Sequence, residues 1–125
     1  MLTDTTFWLD YIDERRERRR GRAHAFIARH RAHELRVSVI TWEELAEGLE
    51  RAAEVDRILQ QVRLTLIPKQ VAWETSRIQR ELTAVGRRLG ENDAWLTGTA
   101  RSWGMRLVTT DGRFEDVPRL RVLHY

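Results

Sequence analysis

The chain has 125 residues, with 22 basic and 19 acidic side chains for a net charge of +3, and it contains no cysteine. Disulfides and cysteine-ligated zinc sites are therefore excluded, while a hydrophobic content of 42% is enough for one domain with a single core. Apolar runs all fall short of the roughly 20 residues of a membrane span, and strand-like residues at Met1 leave no room for a signal peptide, so the expected setting is cytoplasmic with no membrane partner.

The first half of the chain predicts two strands, each followed by helical segments. Residues 1–4 are a short strand, and apolar residues at helical spacing follow from Phe7 and again over 23–30, on either side of a charged run. Residues 35–40 are rich in β-branched side chains and predict the second strand. Thr41 opens the next helix, so this half is typical of an alternating α/β chain.

The second half continues the alternation. A long helix is predicted to end at Gly90, as the C′ glycine of a helix does. The next helix has Asn92 as its predicted N-cap and runs to about Trp103. The remaining strands are predicted at residues 64–67, 105–110 and 120–124.

This alternation predicts a single α/β domain over residues 1–125, a sandwich with a mainly parallel sheet. The last connection, residues 111–119, is short for a parallel crossover, which usually takes about a dozen residues. The fifth strand is therefore the one that the pattern supports least.

Four acidic residues, far apart in sequence, are predicted to meet at one edge of the sheet. Asp4 ends the first strand, Glu44 lies in the first turn of the helix after the second, Asp93 lies in the first turn of the helix before the fourth, and Asp111 follows the fourth. In a parallel sheet the carboxyl ends of strands share one edge, and ligands bind there. Each acid alone has a structural explanation, as an N-cap, a capping-box residue or a turn residue.

Together the four carboxylates would repel one another unless a cation joins them. Oxygen ligands without cysteine suit a hard divalent ion, Mg²⁺ or Mn²⁺, bound also by water and phosphate oxygens. Such an ion can activate water and stabilise the charge on a phosphate under attack. The sequence therefore predicts a metal site for a phosphodiester substrate.

Four motifs carry a resemblance to a known family. The chain resembles the PIN-domain nucleases, and among them the VapC toxins of bacterial and archaeal toxin–antitoxin pairs. The resemblance covers the whole chain, and it depends on all four motifs occurring in order. They are Leu-Thr-Asp-Thr-Thr-Phe at 2–7, Ser-Val-Ile-Thr-Trp-Glu-Glu-Leu-Ala-Glu-Gly at 38–48, Gly-Glu-Asn-Asp-Ala-Trp-Leu at 90–96 and Leu-Val-Thr-Thr-Asp-Gly-Arg-Phe at 107–114.

This resemblance implies a three-layer, PIN-like sandwich whose mainly parallel five-stranded sheet has the order 3-2-1-4-5. It also implies an endoribonuclease that depends on magnesium or manganese, inhibition by a small cognate antitoxin, and a homodimer. The catalytic and metal-binding acids would be Asp4, Glu44 and Asp93, with Asp111 as a more variable fourth. The residues that orient the acids or line the pocket would be Thr6, Thr109 and Thr110.

Two departures from the family pattern affect these assignments. Members often carry another acid where this chain has Arg113. The fourth acidic position of the site therefore depends on Asp111, and Asp116 is a less suitable candidate for it because it lies further along the chain. Glu43 stands beside Glu44, but the register of the second motif favours Glu44.

We also expect the antitoxin to dock on exposed apolar surface of the early helices, around Trp8, Tyr11 and Phe26.

Nearly all the positive charge is arginine, which suits bidentate phosphate contacts, and one run of it lies early in the chain. This run could bind the RNA backbone or a partner, or it could be a solvated helix face. The candidate RNA contacts are Arg15, Arg16, Arg18 and Arg19.

Three alternative functions remain at this stage. The histidines at 24, 30 and 33 could form a zinc site or a histidine-pair ribonuclease, although no orienting partner is evident. A phospho-acceptor receiver domain also has acids at its strand ends, but it needs an acidic pair after the first strand and a lysine after the last, whereas Asp4 stands alone and Lys69 follows the third. A PIN-like module could instead bind RNA without cutting it.

Overall fold

The computed structural model describes every residue from Met1 to Tyr125. The strands are β1 (Leu2–Thr3), β2 (Arg36–Ser38), β3 (Arg63–Thr65), β4 (Arg106–Val108) and β5 (Arg121–Leu123). The helices are α1 (Thr5–Arg16), α2 (Arg22–Arg29), α3 (Val39–Leu49), α4 (Ala52–Ile58), α5 (Lys69–Thr83) and α6 (Glu91–Ser102), with a 3-10 helix at Gly112–Phe114.

The five strands form one sheet of order β3-β2-β1-β4-β5, and all four pairings are parallel. The predicted order is confirmed, and β5 pairs with β4 although their connection carries only the 3-10 helix. The receiver-domain alternative is wrong, because receivers have the order 2-1-3-4-5. The order reverses between β1 and β4, so the carboxyl ends of these two strands flank the switch point where ligands bind.

Apolar side chains pack against both faces of the sheet. Leu107 and Val108 are neighbours on β4 and belong to different core clusters, because successive side chains of a strand point to opposite faces. The Val108 side packs against α1 to α4, and the Leu107 side packs against α6. Each fully buried large side chain contributes about 1.5–3 kcal/mol. The result is a three-layer sandwich, as predicted.

A buried arginine ties α6 to α5. The Arg101 side chain is 3% exposed and contacts Glu74 at 2.6 Å and Glu81 at 2.9 Å. One turn away, Gly98 faces Thr75 so closely that a Cβ there would lie 3.1 Å from the Thr75 Cα. These contacts fix the position of α6, whose first turn carries Asp93.

The helix predicted to end at Gly90 ends earlier. Helix α5 stops at Thr83, Val85 is 69% exposed, and Gly86 adopts a φ of +73° that favours glycine. Gly90 is instead the N-cap residue of α6, so its assignment as a C′ glycine is wrong. Asn92, predicted to be that N-cap, lies within the first turn.

Helix α3 begins two residues before the predicted start. Ser38 is its N-cap and accepts a hydrogen bond from the Thr41 N–H at 3.1 Å. Thr41 and Glu44 have the spacing of a capping box, which was the structural explanation for Glu44, but Ser38 caps the helix instead, and Glu44 lies in its second turn rather than the first.

Two of the three aromatic residues expected to form an exposed dock are core residues. Trp8 is 2% exposed and Phe26 is 1% exposed, and the Trp8 indole N–H donates to the Thr3 hydroxyl at 2.8 Å. Of the three, only Tyr11 keeps part of its surface accessible.

None of the helices combines the length and apolar character needed to cross a membrane.

Candidate active site

A pocket of about 360 Å³ opens at the carboxyl edge of the sheet. All four predicted acids line it, although they come from four different segments of the chain. They are Asp4 after β1, Glu44 on α3, Asp93 on α6 and Asp111 after β4. The fold thus brings the predicted site acids together.

Asp4 is the N-cap of α1 and accepts a hydrogen bond from the Phe7 N–H at 2.8 Å. Its structural role is therefore real, and it faces the pocket as well. Burial raises the pKa of Asp4, and the nearby charge of Asp111 raises it further, while hydrogen bonds from Thr109 and the Phe7 N–H oppose the shift. The carboxylate is thus destabilised in its charged form.

Asp93 lies in the first turn of α6, as predicted. Burial raises its pKa, the Arg113 guanidinium works against that increase, and the charges of Asp111 and Glu44 add to it. The pKa of both Asp4 and Asp93 is raised because burial and neighbouring carboxylates disfavour the charged form. Perturbed acids in a cleft are typical of functional sites.

Glu44 is held by two hydrogen-bond donors from other segments. Its Oε2 accepts from the Thr5 hydroxyl, and its Oε1 accepts from the Asn92 side-chain amide at 2.9 Å. These contacts link α1, α3 and α6 around the pocket. Thr5 and Asn92 were not predicted as site residues, since their only sequence signal is that each adjoins a predicted acid.

Asp111 is occupied by Arg113, which also lines the pocket. Asp111 Oδ1 accepts the Arg113 backbone N–H at 2.9 Å, while Oδ2 accepts from Nε at 2.8 Å and from Nη2 at 2.5 Å. The same Nη2 lies 3.4 Å from Asp93 Oδ2. Hydrogen bonds from Arg113 lower the pKa of Asp111.

The three predicted orienting residues take different positions. Thr6 lines the pocket, whereas Thr109 and Thr110 do not. Thr109 is buried beneath it, where its hydroxyl accepts the Asp111 N–H at 3.0 Å and hydrogen-bonds Asp4. Thr110 hydrogen-bonds the hydroxyl of Tyr125. Thr109 therefore supports two of the acids from below.

The arginine run lies at the far end of α1 from Asp4. Helices rise 1.5 Å per residue, so Arg15 is about 15 Å along α1 from Thr5. Three of its members have local partners, because Arg15 lies over the Tyr11 ring, Arg16 is 4.0 Å from Asp13, and Arg19 contacts Glu17. The structure does not bring the run, which also includes Arg18, into the acidic pocket.

The histidines form no metal site. His24 contacts Glu14 at 2.5 Å, and the His30 ring contacts the Phe26 carbonyl oxygen at 2.9 Å. His33 lies beside the His30 ring without a carboxylate that could complete a ligand set. The zinc alternative therefore lacks support.

The oxygen ligands of the acidic pocket fit a hard divalent ion, since they are carboxylate, hydroxyl and amide oxygens, and the Arg113 guanidinium is the one cation among the lining side chains. The side chains as positioned do not form a cluster of three or more ligands. Glu44 is bound to Thr5 and Asn92, and Asp111 is bound to Arg113, so these carboxylates would have to exchange partners to bind an ion.

Known structures share this fold. The chain is similar to one in the crystal structure of VapBC2 from Rickettsia felis bound to a DNA fragment from their promoter, with a TM-score of 0.85 at 16% identity. The TM-score is 0.78 at 20% identity for a chain of VapBC-1 from nontypeable Haemophilus influenzae, and 0.73 at 24% identity for a chain of DNA-bound VapBC from Salmonella typhimurium. Each of the three alignments covers 98% of this chain and 96% of the other. At these identities the similarity establishes the fold.

No curated protein matches the sequence. The family model of the PIN domain, in contrast, matches residues 1–120, nearly the whole chain. Together with the sheet order and the four motifs, this match shows that the chain belongs to the PIN domain family.

Proposed function

We propose that this PIN-domain protein is a divalent-metal-dependent endoribonuclease and the toxin of a toxin–antitoxin pair, with residues 1–125 acting as one domain. The observation that carries the nuclease proposal is the pocket in which Asp4, Glu44, Asp93 and Asp111 meet at the switch point of the sheet. Membership of the PIN family supports the same conclusion.

In this proposal Asp4, Glu44 and Asp93 hold the metal ion, and Asp111 completes the acidic set. A bound Mg²⁺ or Mn²⁺ would supply an activated water and stabilise the charge that develops on the phosphate. The chain itself contributes the positions of the acids. Phe7 and Thr109 orient Asp4, while Thr5 and Asn92 hold the Glu44 side chain toward the pocket.

An RNA-cleavage assay tests the nuclease proposal. We expect the purified protein to cut RNA when Mg²⁺ or Mn²⁺ is added and to be inactive in EDTA, with the cut ends mapped by sequencing. RNA binding without cleavage at any metal concentration would favour the alternative of an RNA-binding module and would contradict the enzyme assignment.

Two adjacent glutamates provide a matched comparison. Glu44 lines the pocket and Glu43 is exposed beside it, so Glu44→Gln, as the loss of a proposed metal ligand, should reduce cleavage by at least about a hundredfold, and Glu43→Gln should have little effect. Glutamine keeps an oxygen that Thr5 or Asn92 can donate to, so the fold should survive. Loss of thermal stability with full activity in Glu44→Gln would show that this residue is only structural.

The arginine run is proposed to contact RNA beyond the pocket. Changing Arg15, Arg16, Arg18 and Arg19 together to Gln should weaken RNA binding, because phosphate contacts release counterions and give a salt slope of about 0.7 per contact on single strands. Binding measured from low to moderate salt should show a shallower slope, while Mn²⁺ binding stays unchanged. An unaltered slope would reassign the run to a solvated face or to partner binding.

The toxin proposal is supported by the fold shared with VapBC complexes. Its partner would be a small antitoxin that blocks the acidic pocket, with a basic side chain bound by the carboxylates in competition with the metal. Expression of this chain alone should arrest growth, and co-expression of the neighbouring reading frame should relieve the arrest. Harmless expression of an active enzyme would contradict the toxin proposal and leave the nuclease proposal intact.

A homodimer is also proposed. Several large apolar side chains are exposed, among them Leu66 at 65%, Trp73 at 59% and Val85 at 69%, and apolar surface of this kind is enriched at homodimer interfaces. Sedimentation of the purified protein should give twice the monomer mass, and a monomer at micromolar concentration would contradict the proposal.

A further inference from the structure

Arg113 is the only positively charged residue that lines the acidic pocket. Its side chain is 67% exposed, so it lies at the mouth rather than beneath the acids. Four carboxylates would repel an approaching RNA backbone as strongly as they attract a cation. A phosphate that reaches this pocket therefore meets a single positively charged side chain, Arg113, which can form charge-assisted hydrogen bonds with it.

The guanidinium of Arg113 is held in one orientation by Asp111. Nε and Nη2 both donate to Asp111 Oδ2, and the Arg113 backbone N–H donates to Oδ1. The Nε–Nη2 edge of the guanidinium is therefore fixed on the Asp111 carboxylate. Nη1 makes no hydrogen bond within the protein. The guanidinium thus keeps a free donor group while its other edge is fixed, as a preoriented phosphate-binding group requires.

The same contacts occupy Asp111. Both of its oxygens accept hydrogen bonds from Arg113, whereas none of the other three acids of the pocket contacts Arg113 so closely. Asp111 is therefore positioned to orient the arginine rather than to bind an ion. This separates the acidic pocket into a metal-binding part, Asp4, Glu44 and Asp93, and a substrate-binding part, Asp111 with Arg113.

We propose that Arg113 is a substrate-positioning residue that binds a phosphate of the RNA at the mouth of the pocket, and that Asp111 acts by orienting it. The inference rests on the proposed ribonuclease function, since it names how that site receives its substrate. Nη2 also lies 3.4 Å from Asp93 Oδ2, a longer contact than those with Asp111, and Arg113 would release it if Asp93 held the metal ion.

The test measures RNA binding and metal binding separately. Binding of a short labelled single-stranded RNA is measured in EDTA, where the proposed cleavage cannot occur, for the wild type and for Arg113→Gln, Arg113→Lys and Asp111→Asn. Arg113→Gln should weaken binding about tenfold and lower the salt slope by about 0.7, the value of one phosphate contact. Arg113→Lys should recover part of the affinity, because it keeps the charge without the oriented fork.

Asp111→Asn should weaken RNA binding less than Arg113→Gln, and it should not weaken binding further in the Arg113→Gln background, since it acts through the arginine. Mn²⁺ binding, followed by electron paramagnetic resonance, should be unchanged in Asp111→Asn, and it should be unchanged or tighter in Arg113→Gln, which removes a positive charge from the pocket. Arg51→Gln is the matched control, because Arg51 is exposed, has no ion pair and does not line the pocket. It should leave both measurements unchanged.

Unchanged RNA affinity and salt slope in Arg113→Gln, with native thermal stability, would overturn the proposal. So would an Asp111→Asn variant that loses Mn²⁺ affinity while keeping its RNA affinity, because Asp111 would then be a metal ligand. Failure of the ribonuclease proposal can be distinguished from failure of the Arg113 proposal. It would appear as a wild type that binds no Mn²⁺ and cuts no RNA, and this result does not depend on RNA binding in EDTA.

Discussion

Replacing Asp93 or Asp4 with asparagine is expected to reduce metal-dependent RNA cleavage by at least about a hundredfold. Even residues that only support metal ligands typically cost tenfold to a hundredfold, so loss of a ligand should cost more. Asparagine has nearly the same shape, and at the Asp4 position it can still cap α1 by accepting the Phe7 N–H. The fold should therefore persist while the activity is lost.

The same variants should be at least as stable as the wild type when metal is absent. The pKa of both acids is raised, first by burial and then by neighbouring carboxylates, so the folded state holds these protons more tightly than the unfolded chain. Such groups make folding less favourable as pH rises through the unfolded and then the folded pKa. At any pH above the folded pKa of the acid, where the carboxylate is charged, an asparagine removes that cost.

Melting temperatures in EDTA and in Mg²⁺ measure both effects. The wild type should gain stability with Mg²⁺, because an ion that binds only the folded state stabilises it, and the variants should gain less. Glu43→Gln is the control, since it removes an exposed carboxylate next to the pocket. Full cleavage activity in Asp93→Asn or Asp4→Asn would contradict the metal-site proposal.

The parallel sheet and the position of the acids could be predicted because both depend on regular alternation, whereas the strand order 3-2-1-4-5 was implied by the resemblance to the PIN-domain nucleases. Parallel strands place their carboxyl ends at one edge whatever the details of the helices, so Asp4, Glu44 and Asp93 reach one pocket even though Glu44 lies a turn later in α3 than predicted. The pattern of the whole chain was more informative than any one capping signal.

Helix ends were predicted less well, because competing local signals looked equal in sequence. Val85 and Leu89 continue the apolar spacing of α5, yet the helix ends at Thr83 and Gly86 turns the chain. Ser38 rather than Thr41 caps α3, and Asn92 donates to Glu44 instead of capping α6. Which polar group a side chain binds is decided by tertiary contacts that spacing alone does not reveal.

The contacts of two charged residues, Arg113 and Glu14, could not be predicted from the sequence. Arg113 departs from the family pattern, but only the structure places its guanidinium on Asp111 and near Asp93. Glu14 is the other example. It lies in a run of charges that the sequence presents as a solvated surface, yet its side chain is 1% exposed.

Replacing Glu14 with alanine is expected to lower the free energy of unfolding by about 3–5 kcal/mol, the usual cost of breaking a buried charged network. Glu14 accepts hydrogen bonds from the backbone N–H groups of Ala23 and His24, both at 3.0 Å, at the start of α2. Gly21, the N-cap residue of that helix, supplies no side-chain cap. A Cβ at Gly21 would collide with the Glu14 carboxylate, so glycine is required there by close approach.

The loss should depend on pH in a defined direction. Burial opposes ionisation of Glu14, but hydrogen bonds from the His24 backbone and ring and from the Ala23 N–H outweigh it and lower its pKa. A lowered pKa in the folded state contributes stability above the unfolded pKa and loses it as pH falls through the folded value. The wild type should therefore lose stability on acidification more steeply than Glu14→Gln, and the two should converge at low pH.

Urea unfolding from neutral to acidic pH measures this prediction, with Glu17→Ala as the control because Glu17 is an exposed acid one turn further along the chain. Glu14→Gln should lose less stability than Glu14→Ala, since its amide oxygen can still accept one of the two backbone N–H groups at the start of α2. Because α2 packs on α1, and α1 begins at Asp4, Glu14→Ala should also lower the temperature at which RNA cleavage is lost, without changing the rate well below it. An alanine variant as stable as the Glu17→Ala control would mean that water replaces the carboxylate at the start of α2, and the buried cap would then contribute nothing to the fold.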